Sequence, residues 1–358
     1  MTTTAYLNRI ATAVPDHDVH AAFIEFASGL LAGERERALF QRMVERSGID
    51  HRWSTLAPAP PGSNVGPARD GFYMPGAFPS TAARMRLFER EAPKLAGRAL
   101  DRLALGRAAA AITHVLLVTC TGFMAPGVDL AVVRHLGLPA SVERTQVGFM
   151  GCAAALNALK LARHIVRSEP DAMVLIVSVE LCTLHLQQAP ELEPLLSFLI
   201  FGDGCAAAVV SRDPVGVALD RFATAVAPQT EQLITWSIGD QGFDMVLSGR
   251  VPGAIRDAMR ACGSDLLGGQ AAEAVVHWAV HPGGRSVLDA VAASWSLPAA
   301  AMAPSRAVLK SFGNMSSATI LFVLERILAE GGQRDAPGCA VAFGPGLAAE
   351  SMMFRMAA

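Results

Sequence analysis

Short apolar runs alternate with longer amphipathic stretches along most of this 358-residue chain, and that alternation limits the folds open to it more than any other feature. Residues 115–119, 173–179, 206–211, 275–280 and 339–343 are apolar at nearly every position, not at every second one, and are too short to be helices. A strand buried on both faces reads this way. Residues 128–136, 153–166, 255–262 and 318–329 carry helical spacing instead. The expectation is an α/β fold with mixed, buried sheets.

The length exceeds that of a usual single domain, so two packed halves are expected. Arg212-Asp-Pro-Val-Gly216 is the best boundary, giving halves 1–213 and 214–358 with a similar succession of elements but no sequence repeat. The Pro/Gly-rich stretch 57–79 is the clearest loop. With 30 basic and 32 acidic side chains the net charge is -2, which gives no overall electrostatic reason to bind nucleic acid or an anionic membrane. An anionic ligand would need a local cationic patch. The six cysteines at 120, 152, 182, 205, 262 and 339 form no CxxC pair, which points to reduced thiols in the cytoplasm and to no structural zinc. No apolar run reaches the roughly 18 residues of a membrane span, and the N-terminus lacks the pattern of a signal peptide.

Three segments carry chemistry. Cys152, in Gln146-Val-Gly-Phe-Met-Gly-Cys152, stands where an apolar segment turns into an Ala-rich helix, and a helix N-terminus stabilises a thiolate. His281 ends an apolar strand and is followed by Pro-Gly-Gly284, whose Gly283 and Gly284 let a ligand approach the backbone. Asn314, in Phe312-Gly-Asn-Met-Ser-Ser-Ala318, precedes a helical run and would pass alone for a turn residue. His277, in the same strand as His281, reads as a core imidazole.

Gly151-Cys152, Phe201-Gly-Asp-Gly204, His281-Pro-Gly-Gly284, Gly313-Asn-Met-Ser-Ser317 and Phe343-Gly-Pro-Gly346 together resemble the chalcone and stilbene synthase family, the type III polyketide synthases. The motifs follow the family's order and cover nearly the whole chain. The resemblance implies a thiolase fold, two related halves in a five-layered αβαβα architecture with the active site at their junction, assembled as a homodimer. It implies acyl-CoA and malonyl-CoA as substrates, coenzyme A thioesters, with no resident cofactor or metal. Cys152 would carry the acyl group, and His281 and Asn314 would stabilise the enolate left by malonyl decarboxylation. Phe201 would be the gate between the cavity and the CoA tunnel, and Gly344-Pro345-Gly346 would shape the cavity floor. Arg42 and Arg46, at i and i+4, would grip the CoA phosphates together with the Gly283-Gly284 turn, although Leu39 stands where a third basic residue often occurs.

Departures from the plant pattern resemble bacterial members. Cys120 stands at a cavity threonine and Ala125 at a dimer-crossing methionine; Cys182 and His185 replace further cavity threonines, and Trp236 replaces a glycine. Trp236 is expected to narrow the cyclisation pocket, while small Cys120, Thr121 and Cys182 leave an opening for an alkyl chain. The expected activity is extension of a medium- or long-chain fatty acyl-CoA by malonyl-CoA to alkylpyrones or alkylresorcinols. Three other readings stand beside it: a malonyl-only or small-starter synthase making phloroglucinol or tetrahydroxynaphthalene, a carrier-protein-dependent β-ketoacyl synthase III, and a non-catalytic acyl-binding scaffold.

Overall fold

The structure, a computed structural model, describes residues 3–63, 66–189 and 191–357. Met1 and Thr2 of the N-terminus, and Asn64 and Val65 of the expected loop, lie outside the described residues. The strands are β1 (Tyr6–Ala13), β2 (His17–Asp18), β3 (Trp53–Ser54), β4 (His114–Thr119), β5 (Glu143–Gly148), β6 (Val174–Leu181), β7 (Asp203–Ser211), β8 (Val217–Val226), β9 (Ile234–Gly239), β10 (Gly242–Leu247), β11 (His277–Val280), β12 (Pro337–Gly344) and β13 (Ala348–Met356). The helices are α1 (His20–Leu30), α2 (Glu34–Ser47), α3 (Thr81–Leu103), α4 (Val128–Leu136), α5 (Ala154–Ser168), α6 (Leu192–Phe198), α7 (Val251–Leu266), α8 (Arg285–Ser294), α9 (Ala303–Phe312) and α10 (Thr319–Glu330). Each strand and helix expected from the sequence is present, with ends shifted by a few residues; α7 is the largest extension, because Pro252 suits a first helical turn.

Among the described residues, nine strands form one hydrogen-bonded ladder in the order β11-β12-β13-β8-β1-β7-β6-β4-β5. Two parts of it repeat. The series β4-β6-β7-β1 is joined by a parallel pair and then two antiparallel pairs, and so is β11-β12-β13-β8. The parts meet where Tyr6 and Leu7 of β1 pair with Ala218 and Val217 of β8. No sequence repeat announces this, because buried strands need only be apolar and many side chains satisfy that.

Five layers follow from which helix covers which face. Leu87, Leu95 and Leu100 of α3, with Val132 of α4, pack on one side of the β4-β6-β7 region. On its other side lie α5 and α10, whose Leu156, Leu159, Ile320 and Leu321 are fully buried between strands of both parts. Ile255 and Met259 of α7, with Leu288 and Val291 of α8, cover the far face of β11-β12-β13. The thiolase-like α/β architecture expected above is the one observed.

The middle layer is the most demanding to pack, since each of its helices buries side chains against strands of both parts. Leu321→Ala is therefore expected to cost about 2–5 kcal/mol in urea unfolding. A loss below about 1 kcal/mol would show that this layer relaxes around the gap.

Candidate active site

The repeat places the starts of α5 and α10 at equivalent positions. A single 3-10 turn, Gly151–Ala153, leads into α5 and carries Cys152; another, Ser316–Ala318, leads into α10 just after Asn314. The turn before α5 is tightly wound: Phe149 and Gly151 both have positive φ, 57° and 58°. A Cβ on Gly151 would stand 2.4 Å from Pro345 Cδ, and one on Gly344 would stand 2.7 Å from the Met150 carbonyl oxygen. The Gly-Cys and Gly-Pro-Gly motifs thus need glycine for one reason, the descent of the loop after β12 onto the Cys152 turn.

Asn314 is fixed by its backbone to Phe201. Its N–H donates to the Ile200 carbonyl at 2.7 Å, and the Gly202 N–H donates to the Asn314 carbonyl at 3.0 Å, an isolated parallel bridge between Phe201 and Asn314. Gly313, at φ 68°, passes so close to Ile200 that a Cβ would meet its carbonyl oxygen at 2.6 Å. Asp203 of the same motif is buried and accepts hydrogen bonds from the Thr183 and Thr55 N–H groups at 2.8 and 3.0 Å, tying this segment to two loops. His281 follows β11 and donates its N–H to the Val341 carbonyl at 2.8 Å.

These segments bring Cys152, His281 and Asn314 to the wall of one cavity of about 70 Å³, together with Thr121, Cys182, Phe201, Trp236, Gly283, Gly344 and Pro345. The Cys152 thiol donates weakly to Asn314 Oδ1 and Ser316 Oγ, each at 3.9 Å. Asn314 Oδ1 also accepts the Ser316 N–H at 2.9 Å. A backbone N–H can only donate, so the amide oxygen is committed to that side and the amide N–H₂ is left for the cavity. Neither ring nitrogen of His281 hydrogen-bonds to a protein group. The imidazole can donate from one nitrogen and accept at the other.

Burial decides the charge state. Desolvation pushes the Cys152 thiol up to about 12, against smaller lowering by Ser316 and Asn314, and pulls His281 down to about 3. The thiol keeps a little accessible surface at the cavity, but protein atoms surround it closely. A rise of three pKa units corresponds to about 4 kcal/mol, more than the roughly 0.3–2 kcal/mol a helix N-terminus supplies. The thiolate expected at the helix N-terminus is thus replaced, in the empty cavity, by a neutral thiol beside a neutral imidazole.

Several cavity and CoA expectations need correction. Cys120 is buried and does not line the cavity: its N–H donates to Glu180 Oε2 at 3.0 Å and its carbonyl accepts the Trp236 indole N–H at 2.7 Å, which holds it behind the Cys152 turn. His185 is likewise enclosed, its Nε2–H donating to the Thr121 carbonyl at 2.7 Å while Nδ1 accepts the Phe243 N–H at 3.0 Å. Gly346 stands outside the wall, its carbonyl accepting the Thr230 hydroxyl at 3.0 Å. Phe201 lines the cavity and a second one on its other side, but not the outer groove, where Leu247, Val251, Gly283 and Val287 form the passage inward. That groove, of about 860 Å³, is lined by Arg46, Gly283 and Gly284 but not by Arg42. The stripe of α2 facing it runs through Met43, Arg46 and Ser47, and Arg42 lies about 100° round the helix from Met43.

Three residues escaped the sequence reading. Arg285, at the start of α8, lines the groove and donates to the Arg46 carbonyl at 3.4 Å, adding a second cation beside Arg46. Ser316 meets the thiol. Glu180 lies fully buried in β6 and accepts from Cys120 N–H, Thr121 Oγ1 at 2.7 Å and Ser317 Oγ; burial raises its carboxyl to about 7 despite these donors. A carboxylate inside the run 174–181, apolar but for Ser178, was the available signal. Among the described residues no group of three or more His, Cys, Asp or Glu side chains is arranged to hold a metal, and no helix is long and apolar enough to cross a membrane.

The sequence matches the chalcone and stilbene synthase N-terminal domain over residues 5–214 and the C-terminal domain over residues 219–358. The chain belongs to that family, and is a type III polyketide synthase, an acyl-transferring enzyme. It is 35% identical to the alpha-pyrone synthesis polyketide synthase-like protein Pks18 of Mycobacterium tuberculosis, over 99% of this chain and 91% of that one. It is 32% identical to the 1,3,6,8-tetrahydroxynaphthalene synthase of Streptomyces coelicolor, over 97% of this chain and 91% of that one. The crystal structure of the latter type of enzyme from the same organism superposes with a TM-score of 0.88 at 29% identity, covering 99% of both chains.

Alkylation of Cys152 by iodoacetamide in the free protein is expected to be slow at pH 7 and to accelerate with pH through 9 without a plateau, because the group titrates near 12. A plateau with an apparent pKa below 7 would overturn the neutral resting state.

Proposed function

We propose that this protein condenses an acyl-CoA starter with malonyl-CoA by decarboxylative Claisen chemistry, and that the starter is a medium- or long-chain fatty acyl group closing to alkylpyrones or alkylresorcinols. The observation that carries the reading is the convergence of Cys152, His281 and Asn314, from three segments distant in sequence, on one apolar cavity beneath a groove that holds Arg46 and Arg285.

The steps follow from the charges. Cys152 Sγ attacks the thioester carbonyl as its proton passes to His281, and the departing CoA sulfur takes that proton, leaving acyl-Cys152 and neutral imidazole. Malonyl-CoA then loses carbon dioxide, which places negative charge on its thioester oxygen. The Asn314 amide and the neutral imidazole both donate to that oxygen, and one preorganised donor of this kind is worth about 3–4 kcal/mol. The enolate carbon attacks acyl-Cys152, the C–S bond breaks, and the expelled thiolate takes a proton from solvent water. An amide suits position 314 because it donates without adding negative charge beside the enolate. Low His281 basicity serves the same end, keeping the ring an uncharged donor.

The arrangement of elements supports taking 213/214 as the division between a Cys-bearing and a His/Asn-bearing half, since β7 ends at Ser211 and β8 begins at Val217. Assembly as a homodimer is supported by the open edge of β5 at the end of the sheet, beside exposed Phe123 and Met150. Six free thiols suit a reducing cytoplasm.

One alternative has a specific observation in its favour. Trp236, His185 and Phe243 fill the space behind the cavity, with His185 stacked on Phe243 at 4.2 Å and the indole edge-on to both, which suits a malonyl-only synthase with small intermediates. Mass spectrometry of products from malonyl-CoA with a panel of acyl-CoA starters separates the two. Alkylpyrones or alkylresorcinols from fatty starters, abolished by Cys152→Ala, are expected; aromatic product from malonyl-CoA alone would favour the alternative. Asn314→Asp is expected to lower malonyl-CoA decarboxylation at least a hundredfold, the usual loss on removing one such donor; retained decarboxylation would remove Asn314 from the mechanism.

A further inference from the structure

We propose that a second cavity, on the far side of Phe198 and Phe201 from Cys152, receives the alkyl tail of the starter, with the Phe201 side chain turning aside to admit it. This rests on the acyl transfer proposed above and assigns where its chain goes. The cavity holds about 40 Å³ and is walled chiefly by Val19, Phe23, Leu56, Ala68, Tyr73 and Leu186. Phe198 and Phe201 line both cavities and are the partition between them.

Two observations choose this direction. The way out past Trp236 is closed by an aromatic cluster whose polar atoms are all spent, Trp236 on the Cys120 carbonyl and His185 on Thr121 and Phe243. Moving any of these would strand a buried hydrogen-bonding group. The Phe201 ring has no polar atom to strand, and its backbone is held independently of the ring. Arg52 Nη1 donates to the Phe198 and Phe201 carbonyls at 2.9 and 2.7 Å, and the neighbouring Ile200 and Gly202 hold Asn314. A rotamer change at Phe201 therefore opens the partition without displacing Asn314. The one charged wall residue is largely engaged as well: Arg52 Nε donates to His20 Nδ1 at 2.9 Å and the guanidinium lies 4.6 Å above the Phe23 ring, leaving only Nη2 without a partner. What remains for a ligand is chiefly hydrocarbon surface, and a saturated alkyl chain is its match.

The test measures kcat/KM against starter length, from acetyl-CoA to palmitoyl-CoA, for the full-length protein, for Ala68→Leu, which fills the second cavity, and for Leu186→Ala, which enlarges it. The unmodified protein is expected to gain about fourfold per buried methylene up to a limiting length. That limit should fall by several carbons in Ala68→Leu and rise in Leu186→Ala, with acetyl-CoA turnover unchanged in both. An identical length profile in all three proteins, or no gain with length in the unmodified one, overturns the proposal while leaving acyl transfer intact. If Ala68→Leu loses acetyl-CoA turnover through misfolding, Leu186→Ala decides alone: an upward shift supports the tail cavity and an unmoved limit overturns it. Absence of any acyl-Cys152 and any product from every starter would instead bring down the acyl-transfer reading itself.

Discussion

The Glu180 carboxylate is the polar tie on which the centre of this molecule depends. It is removed from water inside β6, where a lone carboxylate is costly, and it is tolerated because donors from both repeated parts converge on it. Cys120 and Thr121 come from the end of β4, and Ser317 comes from the turn that starts α10 and also meets Ser178 at 2.8 Å. An apolar interface would leave those two turns free to slide by small amounts. A buried carboxylate with directional partners does not, because each misplaced donor costs about 1–3 kcal/mol. The turn bearing Ser317 also carries Ser316 and follows Asn314, so the same tie sets where the amide meets the thiol.

Electrostatics at the site follow from that arrangement. Glu180 is one of the contributions that raise the Cys152 thiol, after desolvation itself. A pre-formed thiolate would be more nucleophilic, yet it would have to persist as a desolvated charge in the empty cavity, which burial disfavours. A neutral thiol and neutral imidazole reverse the priority: in the proposed steps the proton moves only when a thioester carbonyl is in place to accept the sulfur, and the cavity is otherwise free of net charge. The dry wall that disfavours ionisation at rest also strengthens each donor when charge does appear. Desolvation therefore serves both half-reactions.

The buried strands, the main helices and the three chemistry-bearing segments were legible in the sequence because they depend on local rules. Apolar runs report burial, and glycines in motifs report close approach. What could not be read locally was which side chains face which way once distant segments meet. Cys120 and Cys182 both read as small residues at cavity positions, yet Cys182 faces the cavity and Cys120 is turned behind the thiol by bonds to Glu180 and Trp236. Arg42 and Arg46 share a helix face by spacing, but the groove takes the stripe one residue further on. Glu180 stood in plain view in an apolar strand and was passed over, since its partners lie 59 and 137 residues away.

Phe201 shows how the same local geometry serves chemistry and selectivity separately. Its backbone is bound to that of Asn314 through their bridge, whereas its ring belongs to the walls of two cavities. Substitution of the ring alters the space available to a chain by amounts worth only about 1–3 kcal/mol, without touching the backbone bonds that place the amide. With the proposed tail cavity, starters would be exchanged through side chains such as Phe201, Ala68 and Leu186 while the turn that holds Asn314 stays as it is. The glycines on either side, Gly202 and Gly313, have no such freedom, because a Cβ on either would come within 2.9 Å of a carbonyl oxygen from the opposite strand of the bridge.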